Sequence, residues 1–216
     1  ILPAKELVSP LILQGFQLGS FLKQEELGTV AGSFRPTFRW SNSGEIEVDI
    51  SKGSVTRFDL NNYGISGISI DGTSINNESL DLRVMVKDEA VDLELSTELD
   101  LTAPNYKGDI QVNRLDLDAL NFTQDTSLVI GNISFDLNGK TDLDWGGHVM
   151  CDDLAYFRAG DSLKTSHLDL GVFSEGEMYS YTLESAFFDA QISGDFDWKA
   201  LASNFYNDLA VILPSI

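Results

Sequence analysis

The chain has 216 residues, of which 43% are hydrophobic, and a formal net charge of −20. That length supports one large or two small domains with a substantial core, and that apolar content argues against disorder. With 14 Lys and Arg against 34 Asp and Glu, the surface repels phosphate backbones and anionic headgroups, so no nucleic-acid partner is expected. Cys151 is the single cysteine, which rules out an intrachain disulfide. No run of about 18 apolar residues is present, so no helical membrane span is predicted. The chain starts at Ile1 in what reads as mid-sequence text, and is expected to be an internal piece of a larger parent that carries any targeting segment.

Residues 1–10 hold two prolines and little period and predict an extended lead-in. Residues 11–18 alternate as a strand, and residues 19–27 suggest one helical turn before Gly28. Residues 29–40 predict a second strand, at an edge or bulged, because Pro36 has no amide proton for the ladder. Ile46, Val48 and Ile50 alternate with acidic neighbours, and Lys52-Gly53 reads as a turn leading to Thr56, Phe58 and Leu60. Asn61-Asn62-Tyr63-Gly64 is a turn, residues 65–70 a short glycine-interrupted strand, and Asp71-Gly72 its end. Leu80, Leu82, Val84 and Val86 turn at residues 87–90 and return as Val91, Leu93, Leu95, Thr97 and Leu99.

A strand resumes at residues 106–112. Val129, Ile133, Phe135 and Leu137 then face one way, with Asn132, Ser134, Asp136 and Asn138 opposite. Asn138-Gly139 is a strong hairpin signal, since a type I′ turn needs positive φ at both central residues. Beyond it Leu143, Trp145, Val149 and Cys151 face inward, and Asp142, Asp144, His148 and Asp152 face water. A short strand at 154–157, a turn at 158–161 and a strand at 163–173 follow. After a turn at 175–177, Tyr179, Tyr181 and Leu183 alternate, and Phe188, Ala190, Ile192 and Phe196 alternate in the opposite phase, which places a turn or bulge near 185–187. Trp198, Leu201, Ala202, Phe205, Leu209 and Ile212 fall at helical spacing, with Asp197 as N-cap and Pro214 as stop.

One short pattern recurs: Phe16-Gln17-Leu18-Gly19-Ser20-Phe21, Leu115-Asp116-Leu117-Asp118-Ala119-Leu120 and Phe196-Asp197-Trp198-Lys199-Ala200-Leu201. Each follows a strand and precedes a helix-like or polar connection, which favours repetition over three unrelated strand ends.

The predicted fold is therefore all-β: an elongated, curved antiparallel sheet of about a dozen strands with a C-terminal helix. Its two β-repeat halves, residues 1–105 and 106–216, form one continuous unit. A single sheet with one apolar face must close, stack or curl. Curled without closing, it leaves a taco-like apolar groove, and a continuous apolar patch beyond ~300–600 Å² tends to mark a binding surface. Acyl chains suit such a groove; an ordinary packed core is the alternative for the same side chains. The free sheet edges are expected to be sticky and to pair with neighbouring segments or copies.

No catalytic set is apparent. His148 and His167 lie inside strands among polar neighbours, and no Gly-x-Ser-x-Gly elbow occurs. Zinc would need more His or Cys ligands unless carboxylates fill in, and the Asp- and Asn-rich stretches lack a calcium loop and read as turns and a solvated face. Gly131-Asn132 and Gly146-Gly147 precede no helix, so they are strand glycines rather than phosphate loops. No enzymatic activity and no cofactor or metal are expected.

The stretch Phe135-Asp136-Leu137-Asn138-Gly139-Lys140-Thr141, then Leu154-Ala155-Tyr156-Phe157-Arg158-Ala159-Gly160-Asp161-Ser162, Gly194-Asp195-Phe196 and the terminal Leu213-Pro214-Ser215-Ile216, resembles the central repeat region of the TamB family, within the AsmA-like group, in its Bacteroidota form. The resemblance is best over residues 106–216. It implies a long envelope protein anchored in the inner membrane and reaching through the periplasm. It further implies a taco-shaped β-groove, phospholipid transport between inner and outer membranes in support of outer-membrane assembly, and an Omp85-type outer-membrane partner engaged by the full-length parent. The groove lining expected from the alternation is Val129, Ile133, Phe135, Leu137, Leu143, Trp145, Val149, Tyr179, Tyr181 and Leu183. The rival expectation is a structural or adhesive β-repeat domain with a closed core that binds glycan or protein.

Overall fold

The computed structural model describes residues 5–24, 26–41, 44–76, 78–100, 102–103, 105–139, 146–175 and 178–194. Among them, 15 strands form one antiparallel sheet, accompanied by one five-residue helix. The strands are β1 Lys5–Val8, β2 Leu11–Gln17, β3 Leu27–Phe34, β4 Pro36–Trp40, β5 Ile46–Leu60, β6 Tyr63–Ile65, β7 Ile68–Ile75, β8 Ser79–Lys87 and β9 Val91–Asp100. They continue as β10 Asn105–Asp116, β11 Ser127–Asn138, β12 Gly146–Arg158, β13 Asp161–Glu175, β14 Met178–Ser185 and β15 Asp189–Gly194; the helix, α1, is Leu18–Leu22.

The registers reduce these strands to a simpler object. β3 and β4 pair with successive parts of β5, from Leu27↔Leu60 to Trp40↔Ile46, so together they make one long rung broken at Arg35. β1 and β2 run along that rung's other side, and β6 and β7 along β5, in the same way. The result is an open meander of twelve rungs, each hydrogen-bonded only to the rungs before and after it in sequence. Short hairpins suffice for such antiparallel neighbours. The Asn61-Asn62 turn joins Leu60 to Tyr63 with φ of 47° and 65° at its two residues, the geometry of a two-residue hairpin.

Residues paired across an antiparallel ladder share a face, so register alone sorts every side chain. One face carries Val48, Ile50, Val55, Ile68, Ile70, Val84, Val86, Leu93, Leu95, Ile110, Val112, Ile133, Cys151, Leu168 and Leu170, each opposite another apolar residue or a glycine on at least one adjacent rung. The other face carries charge: Arg39 meets Glu6, Glu47 and Asp49, and Lys107 meets Asp136. These exposed pairs contribute little stability each, ~0–1 kcal/mol. Their larger effect is to keep one side of the sheet wet.

Bulges keep the faces in phase over long strands. Ile130 pairs with Ala155 and Asn132 with Asp152, so one residue of β11 faces two of β12, and Asp153 takes φ 52° to absorb the extra one. Without that bulge Leu154 and Tyr156 would turn to the charged face; with it Tyr156 stands beside Val129. The expected separate strand at 154–157 is therefore the end of one continuous β12. For the same reason Lys52-Gly53 is not a turn but part of a bulge inside β5, between Ile50↔Gly72 and Gly53↔Ile70. Asp71-Gly72 does not end a strand either: β7 runs through it to Ile75, and Gly72 lies beneath the Leu82 side chain of β8. The lead-in over residues 1–10 is partly a paired strand, β1, held to β4 from Lys5↔Trp40 to Val8↔Thr37.

The strand 163–173 and the turn near 185–187 are present as expected, within β13 and between β14 and β15. The boundary at 105/106 falls inside β10, which pairs with both β9 and β11. The helix expected beyond Asp197 lies outside the described residues.

A packed core occupies only one part of the apolar face. Val55, Ile65, Ile68, Val86, Ala90, Val91 and Leu120 are its buried members, with Phe34, Phe58, Leu60 and Leu115 among those packed on them. Rungs β3 and β10 both contribute, although five steps of a flat sheet would hold them about 24 Å apart. Coiling of the sheet and the fold-back of residues 117–122 bring them together.

Candidate binding face

The sequence-derived lining falls on the apolar face wherever it is described. Phe135 is opposite Val149, Leu137 opposite Gly147, Leu183 opposite Leu170 and Tyr181 opposite Val172. Val129, Ile133, Phe135, Leu137, Val149, Tyr179, Tyr181 and Leu183 are all half-buried. Tyr179 and Tyr181 stack with ring centroids 6.3 Å apart. Leu143 and Trp145 lie outside the described residues.

Phe135 lies down on the sheet rather than standing off it. A methyl group built on Gly108, its cross-strand partner, would come within 2.7 Å of the Phe135 Cζ and 2.6 Å of the Ser96 carbonyl. Phe34 covers Gly53 in the same manner, 2.9 Å from the position of such a methyl. Missing side chains in the floor are thus filled by rings from adjacent rungs, which makes these rings part wall and part support. Thr97 is one of the few polar residues on this face; it is buried, and its hydroxyl donates to the Lys107 carbonyl at 2.8 Å, so it presents no unmet polar atom.

Sequence reasoning missed the deeper part of the face. A cavity of about 430 Å³ is lined by Val30, Val55, Phe58, Leu60, Ile65, Ile68, Ile70, Val84, Val86, Val91, Leu93, Leu115, Leu120 and Phe122, all of them apolar. The volume is within the range of small-ligand sites. The alternation in residues 80–99 carried a usable signal for it, equal in strength to that of residues 129–137. The contribution of Leu120 was visible only as the end of the recurring hexapeptide.

Toward the two ends of the meander the apolar residues become exposed. Leu7, Leu11 and Phe16 on the first rung, and Leu163, Leu170 and Ile192 on the last three, are each more than 40% exposed. The face is packed in the middle and uncovered at its flanks.

Asp88 caps the turn before β9: it accepts from the Tyr63 hydroxyl at 2.7 Å, from the Ser66 amide and hydroxyl at 3.0 and 2.7 Å, and from the Ala90 amide at 3.0 Å. Burial alone would raise its pKa, but these donors outweigh it and hold the carboxyl down at about 2. On β12 and β13 two reciprocal pairs form, His148 with Asp169 at 3.1 Å and His167 with Asp152 at 2.9 Å. The hydrogen bond that the His167 ring donates to the Asp152 carboxylate raises the His167 pKa. The Cys151 thiol faces the apolar side, opposite Ile133 and Leu168, where burial pushes its pKa up. It is a packing group there rather than a nucleophile. Among the described residues no group of three His, Cys, Asp or Glu is placed to hold a metal ion, and no helix is long and apolar enough to cross a membrane.

The arrangement can bind hydrocarbon on one side and water on the other. Comparison with family models, curated proteins and solved structures finds no match, so the case for function stands on this geometry.

Proposed function

We propose that this chain is a segment of a periplasmic, bridge-like protein of the TamB type, whose apolar face holds phospholipid acyl chains in transit between inner and outer membranes. In this reading the full-length parent is anchored in the inner membrane, meets an Omp85-type partner at the outer membrane and supports outer-membrane assembly. The segment contributes binding without chemistry. One observation carries the reading: a single apolar face continues across all twelve rungs of an open sheet and remains half-exposed from β11 to β14. Covering a large apolar side chain contributes ~1.5–3 kcal/mol, so such a face favours an apolar occupant over water. The net charge of −20 repels anionic headgroups, which leaves the hydrocarbon chain as the part held.

Native mass spectrometry of protein purified without detergent tests this, together with photo-crosslinking from probes at Phe135 and Tyr181 in cells. Copurified phospholipid and lipid adducts at both positions are the expected result. Absence of lipid in both measurements removes the proposal. The second reading, a structural or adhesive β-repeat domain, draws on the packed cluster around Leu120; specific binding on a glycan array would favour it.

A further inference from the structure

Four hairpins at the same end of the strands are short. The connections after β5, β8, β12 and β14 use two or three residues, which is enough for antiparallel neighbours. The β10–β11 connection takes ten, residues 117–126. The added length is folded. The Leu120 amide donates to the Asp116 carbonyl at 3.1 Å, the Phe122 amide to the Leu117 carbonyl at 2.8 Å and the Leu117 amide to the Ser127 carbonyl at 2.9 Å. The Ala119 amide is capped by the Asp116 carboxylate at 3.1 Å. This helical turn sets Leu120 down on the apolar face, where it is 1% exposed. The Asn121 side chain then donates to the Asn61 carbonyl at 2.8 Å. That bond spans four steps of the sheet, about 19 Å if it were flat.

We propose that residues 117–126 are a strap across the binding face: Leu120 occupies the place of an acyl chain, and a chain enters the adjoining 430 Å³ cavity when the Asn121–Asn61 tie opens. The inference rests on the acyl-binding reading above and deepens it by locating a gate. Leu120 and Phe122 form one wall of the cavity, so movement of the strap changes its size directly. Phe122 is 54% exposed, at the mouth. The tie is a single exposed hydrogen bond, which belongs to the low-stability end of local opening, whereas the ladder beneath it does not. Every lining residue is apolar, so the occupant is an uncharged hydrocarbon chain whose headgroup stays outside.

The test is stopped-flow uptake of a pyrene-labelled phosphatidylcholine from phosphatidylcholine vesicles by the 216-residue chain. Asn121→Asp keeps a residue suited to the observed φ of 60° and removes the donor. Uptake is then about 3–10-fold faster, the factor set by one net hydrogen bond, with circular dichroism unchanged. Gln191→Glu, which adds the same single charge at an exposed position on β15 away from the strap, takes up probe at the parent rate. Uptake by the parent with no acceleration in Asn121→Asp overturns the strap and leaves the acyl-binding reading standing. No uptake by any of the three proteins overturns both.

Discussion

Replacement of Asp88 by Asn tests whether one carboxylate holds the β6–β7 break against the β8–β9 turn. The carboxylate gathers four donors, and its folded-state pKa of about 2 lies below the 3.8 of a free side chain. A depressed carboxyl pKa adds stability that is fully present above the unfolded value and lost as pH falls through the folded one. The window here runs from about pH 4 down to pH 2. A shift of this size corresponds to about 2.5 kcal/mol at 1.36 kcal/mol per unit; partial exposure to solvent reduces it to about 1–2 kcal/mol. Urea titrations at pH 6 and pH 2 measure it. The parent should exceed Asp88→Asn by that margin at pH 6 and by almost nothing at pH 2. An equal gap at both values would mean that shape, not charge, makes Asp88 matter, and the argument would fail.

Leu120→Ala should destabilise by about 2.5–5 kcal/mol in urea, and Leu120→Met by less than about 1.5 kcal/mol; near-neutrality of the first would show that the site collapses freely. Gly108→Ala forces a methyl against the Ser96 carbonyl and the Phe135 ring and should lower the thermal midpoint, by about 1–3 kcal/mol equivalent; an unchanged melt would remove the floor contact. His167 should titrate above 6.5 by NMR and return toward it in Asp152→Asn. Because that pKa is raised on folding, the pair stabilises at pH below the unfolded value and the effect disappears as pH rises through the folded one; a His167 titration unmoved by Asp152→Asn would refute the pairing.

Where alternation is unbroken, as at residues 80–99 and 129–137, the sequence alone places both strand and face, because period two has no competing explanation there. It misleads where glycine or a bulge interrupts the period. Lys52-Gly53 and Asp71-Gly72 have the composition of turns, and only cross-strand pairing shows that the chain continues through them. Part of the candidate face was legible for the same reason, but not which of its residues are packed and which are open. That depends on coiling of the sheet, which no local pattern encodes. The recurring hexapeptide shows the limit most clearly. Its first two copies both end a rung in a helical turn, yet Phe21 is 71% exposed and Leu120 1%. The same apolar and polar pattern yields opposite burial because only the second copy has several coiled rungs to fold onto.

The strictly sequential pairing of the twelve rungs has a consequence for growth and folding. Nothing in the sheet requires residues far apart in the chain to find each other before the next hairpin forms, so assembly can proceed one rung at a time, as in repeat arrays whose stability sums over nearest neighbours. Insertion or duplication of a hairpin would lengthen the trough by roughly 10 Å, two strand spacings, without rewiring any existing ladder. A molecule built this way is in effect a ruler: its span is written as a number of hairpins, and selection can adjust that span without redesigning the apolar face.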